Sequence, residues 1–198
     1  VALVPLPSVD SLECAANKEK TEALAQSLHI ATIPHATFSK FPVVVKPIHS
    51  AVWVRGVGAR GTASFAFSRS DVEERIDAVR SEMREAPLIQ EYIQGEELGY
   101  EAICENGRVI ASLAHRRIRS LSPTGGAAAV KETIDAPPMI RKASEELLKA
   151  LSWTGVAMLE FKRDRTTGVY YLLEINPRFW GSLPLAIRAG LPFPRLYM

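Results

Sequence analysis

The chain has 198 residues, 47% of them hydrophobic and 23% charged, with 24 Lys and Arg against 22 Asp and Glu. That composition belongs to a water-soluble globular protein with a sizeable core, in one or two lobes. A net charge of +2 gives no bias toward nucleic acid or anionic membrane, no apolar run is long enough to span a bilayer, and no signal pattern opens the chain. Cys14 and Cys104 are isolated and lack metal-ligand spacing, so a reduced, cytoplasmic setting is expected. The chain starts at Val1 without Met, and Val1–Pro5 reads as the last strand of a preceding domain, so a fragment of a longer protein is expected.

Asn17 is placed to cap a helix from about Lys18 to Leu28, which Ile33-Pro34-His35 breaks. Phe41 to Pro47 is a short buried strand ending in Lys46, and an ammonium at such a strand end suits a point-charge contact to phosphate. Arg55 to Thr62 is a glycine-rich loop between strands. Glycines such as Gly58 and Gly61 let backbone N–H groups approach phosphate closely, although a plain hairpin tip is the other reading. No Gly-Lys-Ser/Thr follows, so it is not a Walker A loop. Ser70 and Glu73 read as a capping box opening a helix with Val72, Ile76, Val79 and Met83 as its buried stripe.

Leu88 to Glu97 reads as a strand, a Gly95 bend and two acids, Glu96 and Glu97. Leu98–Cys104 and Arg108–His115 form a hairpin around the Asn106-Gly107 turn. Arg116, Arg117 and Arg119 then precede Gly125-Gly126, either as an anion site or as a basic solvated strand, and Lys131 and Glu132 close the region. Pro138 starts a helix to about Leu151, with Ala143, Leu147, Leu148 and Leu151 inward.

Alternation puts Val156, Met158, Glu160 and Lys162 on one face of the next strand. After the Asp164–Gly168 turn cluster it puts Leu172, Glu174 and Asn176 on one face, and Leu173 and Ile175 on the other. A loop centred near Thr166 sets Glu160 opposite Leu172 and diagonal to Glu174, roughly 7–8 Å away. Two carboxylates and an amide on one face are donors for a hard cation such as Mg²⁺; an ordinary solvated sheet face is the alternative. Ser182 is placed to cap a last helix, Leu183 to Ala189, stopped by Gly190.

The run Leu173-Glu174-Ile175-Asn176-Pro177-Arg178, with Glu160 upstream on a paired strand, resembles the metal-binding end of the ATP-grasp superfamily. The nearest relatives by this resemblance are the carbamoyl-phosphate-synthase-like carboxylate–amine ligases, and it covers about residues 15 to 190. The resemblance implies an α+β fold: two lobes, each an antiparallel sheet with helices, with ATP between them. It divides the chain into 1–37 (the end of a preceding domain and a linking helix), 38–94 (a small lobe with a glycine-rich lid) and 95–198 (a large lobe with the metal site).

The implied activity is ATP-dependent joining of a carboxylate to an amine or thiol through an acyl phosphate, with release of ADP and phosphate. Implied cofactors are ATP and Mg²⁺, with Mn²⁺ as an alternative. Glu160, Glu174 and Asn176 would hold metal. Lys18, Lys46 and the lid glycines Gly58 and Gly61 would meet phosphates, with a solvated helix residue as the rival reading of Lys18. Gln90, Glu91 and Ile93 map to adenine and Glu97 to ribose, with Glu96 as its competitor. Arg178, Arg117 and Lys131 would act on the transferring group. Expected partners are small molecules, not nucleic acid or membrane. A Rossmann-like domain ahead of this region is expected, and a homo-oligomer is left open. The rival functions are a catalytically silent nucleotide-binding regulatory module and, against the near-neutral charge, a nucleic-acid module built on Arg116, Arg117 and Arg119.

Overall fold

The computed structural model describes residues 4–54, 56–122 and 125–197. Two short helices come first, α1 (Val9–Ala16) and α2 (Lys18–Ser27), followed by β1 (Val43–Pro47), β2 (Ala51–Val54), β3 (Val57–Arg60) and β4 (Ser64–Ala66). Helix α3 (Arg69–Met83) leads to β5 (Pro87–Glu91), β6 (Gly95–Glu105), β7 (Arg108–Ser122) and β8 (Gly125–Ile134). Then come α4 (Pro138–Ala150), β9 (Gly155–Asp164), β10 (Tyr170–Asn176), α5 (Leu183–Arg188) and α6 (Phe193–Leu196).

The strands form two main antiparallel sheets, of order β4-β1-β5 and β10-β9-β6-β7-β8, with β2–β3 as a separate hairpin. This is the α+β, two-sheet arrangement expected. The chain leaves the smaller sheet at Glu91 and enters the larger at Gly95.

Each sheet buries one face against helices. Val43, Val45 and Ala66 meet Val72 of α3 in a small core. The larger sheet covers its own core with α1, α2 and α4, where Ala15, Ala25, Leu147 and Leu148 pack on Tyr100, Leu159, Phe161, Leu172 and Ile175. Strand alternation leaves the opposite face of β6 and β9 to the cleft and to a third cluster, in which Ile103, Val156 and Met158 meet Trp180, Ala186 and Phe193.

Local chemistry explains most element ends. The Asn17 side chain accepts from the Lys20 N–H and opens α2 as expected. Asn106 and Gly107 both take positive φ, 48° and 79°, which a two-residue hairpin turn of this kind requires.

Several expectations change. The expected leading strand, Val1–Pro5, lies partly outside the described residues, and Val4–Pro7 has no regular structure; Ser8 caps α1, which the sequence reading missed. Helix α3 starts two residues early. Ser68 accepts from the Asp71 N–H and Asp71 accepts from the Phe67 N–H, so Asp71, not Glu73, closes the cap. The shorter Asp side chain reaches the chain end, and its carboxyl is held below the ordinary carboxylate range by that backbone bond. The glycine-rich loop is mostly strand: Val57–Arg60 pairs with Ala51–Val54, and Arg55 lies outside the described residues. Ser182 precedes α5 but gives its hydroxyl to Glu101 rather than to the helix.

The largest correction is the β9–β10 register. Leu172 faces Phe161, not Glu160, and a β-bulge follows, so that Glu174 lies directly opposite Glu160. The extra residue lets both Leu172 and Ile175 enter the core, each 3% exposed, while Leu173, Glu174 and Asn176 line the cleft. Strict alternation would send one of those apolar residues to the other face, losing about 1.5–3 kcal/mol of burial. Leu172 is also held by its N–H bond to the Ala31 carbonyl.

Candidate active site

A cleft of about 880 Å³ lies between the two sheets. Lys18, Lys46, Gly61, Gln90, Glu91, Ile93, Glu97, Arg117, Lys131, Glu160, Glu174, Asn176 and Arg178 all line it; Gly58, exposed in β3, does not. Among the described residues, Arg60 and Lys162 bring the basic side chains of the wall to seven, against the four carboxylates of Glu91, Glu97, Glu160 and Glu174. The whole chain is close to neutral, so the excess is local and suits a polyanion.

The small sheet supplies Lys46 near the end of β1, 7% exposed. Burial, helped by the Lys18 charge, lowers its pKa to about 8. Lys18, at the start of α2, is also 7% exposed, which removes the solvated-residue reading. Its Nζ donates to Ser50 Oγ at 2.8 Å and lies 3.5 Å from Glu174 Oε2. Gly61 sits where a Cβ would fall 2.5 Å from Pro47 Cγ, so the hairpin returns to the cleft only with glycine there.

Between the sheets, Gln90 is 2% exposed and its side-chain amide donates to Glu22 and to the Ile33 carbonyl. Glu22, the buried partner of Gln90, is a residue that sequence reading missed; its place one turn after Lys18 on α2 is the signal that was available. Of the two acids after the bend, Glu97 lines the cleft. It is held by Arg117 at 2.6 Å and Lys162 at 2.9 Å, whereas Glu96 faces Arg116 and Arg163.

Of the two readings of the three arginines, a joint anion site does not form. Arg117 faces the cleft; Arg116, its neighbour on the alternating strand, turns away to Glu132, and Arg119 is exposed beyond a bulge. Lys162 shares a face with Glu160 by parity, and the sequence reading left it without a role. Lys131 is half-buried. Burial holds it below the ordinary lysine range, against the pull of Glu160 and Glu101.

Glu160 and Glu174 face each other across β9 and β10. Burial, and then the Glu174 charge, pushes Glu160 up to about 7. Asn176 is 5% exposed; its amide donates to Glu174 Oε1 at 3.1 Å, and its Oδ1 accepts from Arg178 at 3.1 Å. No cluster of three or more His, Cys, Asp and Glu suited to a metal occurs among the described residues. Two opposed carboxylates and the amide oxygen of Asn176 are what this wall offers to a cation. That set fits Mg²⁺, which keeps waters and phosphate oxygens as its other ligands.

A family model described as ATP-grasp in the biosynthetic pathway with Ter operon matches residues 83–198, more than half of the chain. The chain belongs to the ATP-grasp family. Among curated relatives it is 28% identical, over 96% of its length, to the carbamoyl phosphate synthase large chain of Nostoc sp.. It is 29% identical, over 79%, to the N-terminal section of that large chain from Methanopyrus kandleri. It spans 19% and 28% of those two proteins. The ATP-grasp fold is also that of an L-amino acid ligase from Bacillus licheniformis, with a TM-score of 0.72 and 21% identity over 94% of this chain and 47% of that one. Biotin carboxylase from Campylobacter jejuni matches with a TM-score of 0.78 and 16% identity, over 97% of this chain and 47% of that one.

Proposed function

We propose that the chain is the ATP-binding core of a carboxylate–amine (or thiol) ligase that activates a carboxylate as an acyl phosphate. The observation that carries this reading is the pairing of Glu160 with Glu174 beside Asn176, in a cleft whose remaining wall is basic. A bound Mg²⁺ on Glu160, Glu174 and Asn176 would neutralise charge on the phosphates. Burial, and then the Glu174 charge, raises the pKa of Glu160, and a divalent cation is a natural counter-charge for the pair.

Lys46 and Lys18 would meet inner phosphate oxygens. Glu97, already fixed by Arg117 and Lys162, would accept from the ribose hydroxyls, and the Gln90–Ile93 stretch would meet adenine. The carboxylate oxygen of the substrate attacks the γ-phosphorus, and the bond to the β,γ-bridging oxygen breaks to release ADP. Nitrogen or sulfur of the second substrate then attacks the acyl carbon, and phosphate leaves. Carboxylate oxygen is a poor leaving group and phosphate a good one, so the first step makes the second feasible. Arg178, Arg117 and Lys131 would hold the equatorial oxygens as charge shifts; catalysis is positioning and charge neutralisation.

The carbamoyl phosphate synthase relatives and the biotin carboxylase, whose structure is a complex with β,γ-ATP, support this reading. We place 38–94 and 95–198 as the two ATP-gripping lobes and the protein in the cytoplasm, with Cys14 and Cys104 both free; no helix among the described residues is long and apolar enough to cross a membrane. The test is ADP release by the full-length protein against a panel of carboxylates and amines, with calorimetry of Mg-ATP binding. Carboxylate-dependent ADP release supports the ligase. Magnesium-dependent ATP binding with no turnover on any pair would favour the silent regulatory module instead.

A further inference from the structure

Glu101 is completely buried on β6 and does not itself line the cleft. Its Oε1 accepts from Ser182 Oγ at 2.9 Å. His115, 3% exposed on β7, places Nδ1 3.0 Å from the same oxygen, but off the alignment of a hydrogen bond. The imidazole lies over Gly99, where a Cβ would fall 2.1 Å from its Cε1, so the pair requires glycine at that point of β6. A buried carboxylate is costly unless it is compensated, and stability alone favours an apolar residue here, opposite Met158.

Ser182 breaks a local rule in the same place. It stands at the start of α5 but does not cap it. A hydroxyl has one proton to donate, and that proton goes to Glu101; its lone pairs then accept from Lys131 Nζ at 3.3 Å. The chain therefore has one direction, from the Lys131 ammonium through the Ser182 hydroxyl to Glu101, with His115 alongside. Lys131 needs such support. It shares the cleft with Arg117, whose like charge opposes it, and a long flexible side chain otherwise spreads over many rotamers. His115, Lys131 and Glu160 also border one small cavity of about 10 Å³.

We infer that Glu101 and Ser182, with His115 packed alongside, form a positioning relay that holds the Lys131 ammonium at the transferring end of the cleft. The relay rests on the ATP-grasp reading for its purpose, but its existence does not. Ser182 also lies four residues beyond Arg178, so the bond to Glu101 ties the loop carrying that arginine to β6.

The test uses the full-length protein and three variants, Ser182→Ala, Ser182→Thr and Glu101→Gln. One arm measures the rate at which trinitrobenzenesulfonate labels Lys131, read by peptide mass mapping without nucleotide. The other measures phosphate release from Mg-ATP with the carboxylate and amine that support turnover. Ser182→Ala and Glu101→Gln are expected to change the Lys131 labelling rate at least about threefold and to lower kcat about tenfold or more, with KM for ATP within about twofold, as loss of one positioning contact at the reacting end does. Ser182→Thr keeps the hydroxyl and is expected to stay near wild type in both arms. Unchanged Lys131 labelling in Ser182→Ala overturns the relay, as does Ser182→Thr impaired as much as Ser182→Ala. Altered labelling with wild-type kcat overturns its catalytic purpose. Absence of wild-type turnover refutes the ligase reading instead, and labelling still decides the relay.

Discussion

Lys46 gives the sharpest quantitative prediction. Its ammonium is buried at the end of β1 beside Lys18, and its pKa falls from the ordinary 10.5 to about 8. Below pH 8 the folded protein carries the charge in a desolvated place. Above pH 8 the folded state releases the proton while the unfolded chain keeps it up to about pH 10.5, so stability rises with pH across that window. A shift of this size corresponds to roughly 3 kcal/mol. Lys46→Met removes the charge and keeps the volume. It should stabilise the nucleotide-free protein at pH 7 by up to about 3 kcal/mol, or roughly 6–12 °C in Tm for a chain of this size, and the gain should fade as pH approaches 10.5.

A phosphate placed beside Lys46 favours the ammonium and restores its proton, so Mg-ATP binding near pH 8.5 should take up on the order of half a proton or more. Calorimetry in two buffers of different ionisation enthalpy measures that uptake, and Lys46→Met should abolish it together with much of the affinity. Buffer-independent heats in the wild type, or a variant no more stable at pH 7, would refute the reasoning that a buried, phosphate-facing ammonium sits here.

Glu174→Gln keeps the side-chain shape and removes the charge facing Glu160; turnover in the full-length protein should fall by about a thousandfold or more with unchanged circular dichroism. Near wild-type turnover would sink the metal assignment. Leu172→Ala should destabilise by about 2–5 kcal/mol in urea unfolding, because Leu172 is in the core. Leu173→Ala, on the cleft side, should cost well under half as much; the reverse order would mean that the bulge is absent. Amide exchange at Gly56–Thr62 should slow when Mg-ATP is added if this hairpin closes over nucleotide, and equal rates in both states would argue against a lid.

Much of the site could be read from the sequence because it depends on local periodicity. Two-residue alternation put Met158, Glu160 and Lys162 on one face, an apolar run ending in lysine marked Lys46, and Asn17 and Asn106-Gly107 marked a cap and a turn through their own backbone chemistry. Alternation also separates Arg116 from Arg117, so the failure of the three-arginine site was legible and overlooked. Other features had no local signal. The bulge after Leu172 arises because the core gains two apolar side chains, which no pairwise count around Thr166 reveals. Ser182 has the residue type and position of a helix cap, and only the approach of Glu101, 81 residues away, diverts its hydroxyl. Glu22 meets Gln90 across 68 residues, and the choice between Glu96 and Glu97 waited on which strand face met the cleft. Periodicity and capping are set within a few residues of chain. Register, burial and the pairing of distant charges are set by what the folded sheets exclude from water, and only the tertiary structure decides those.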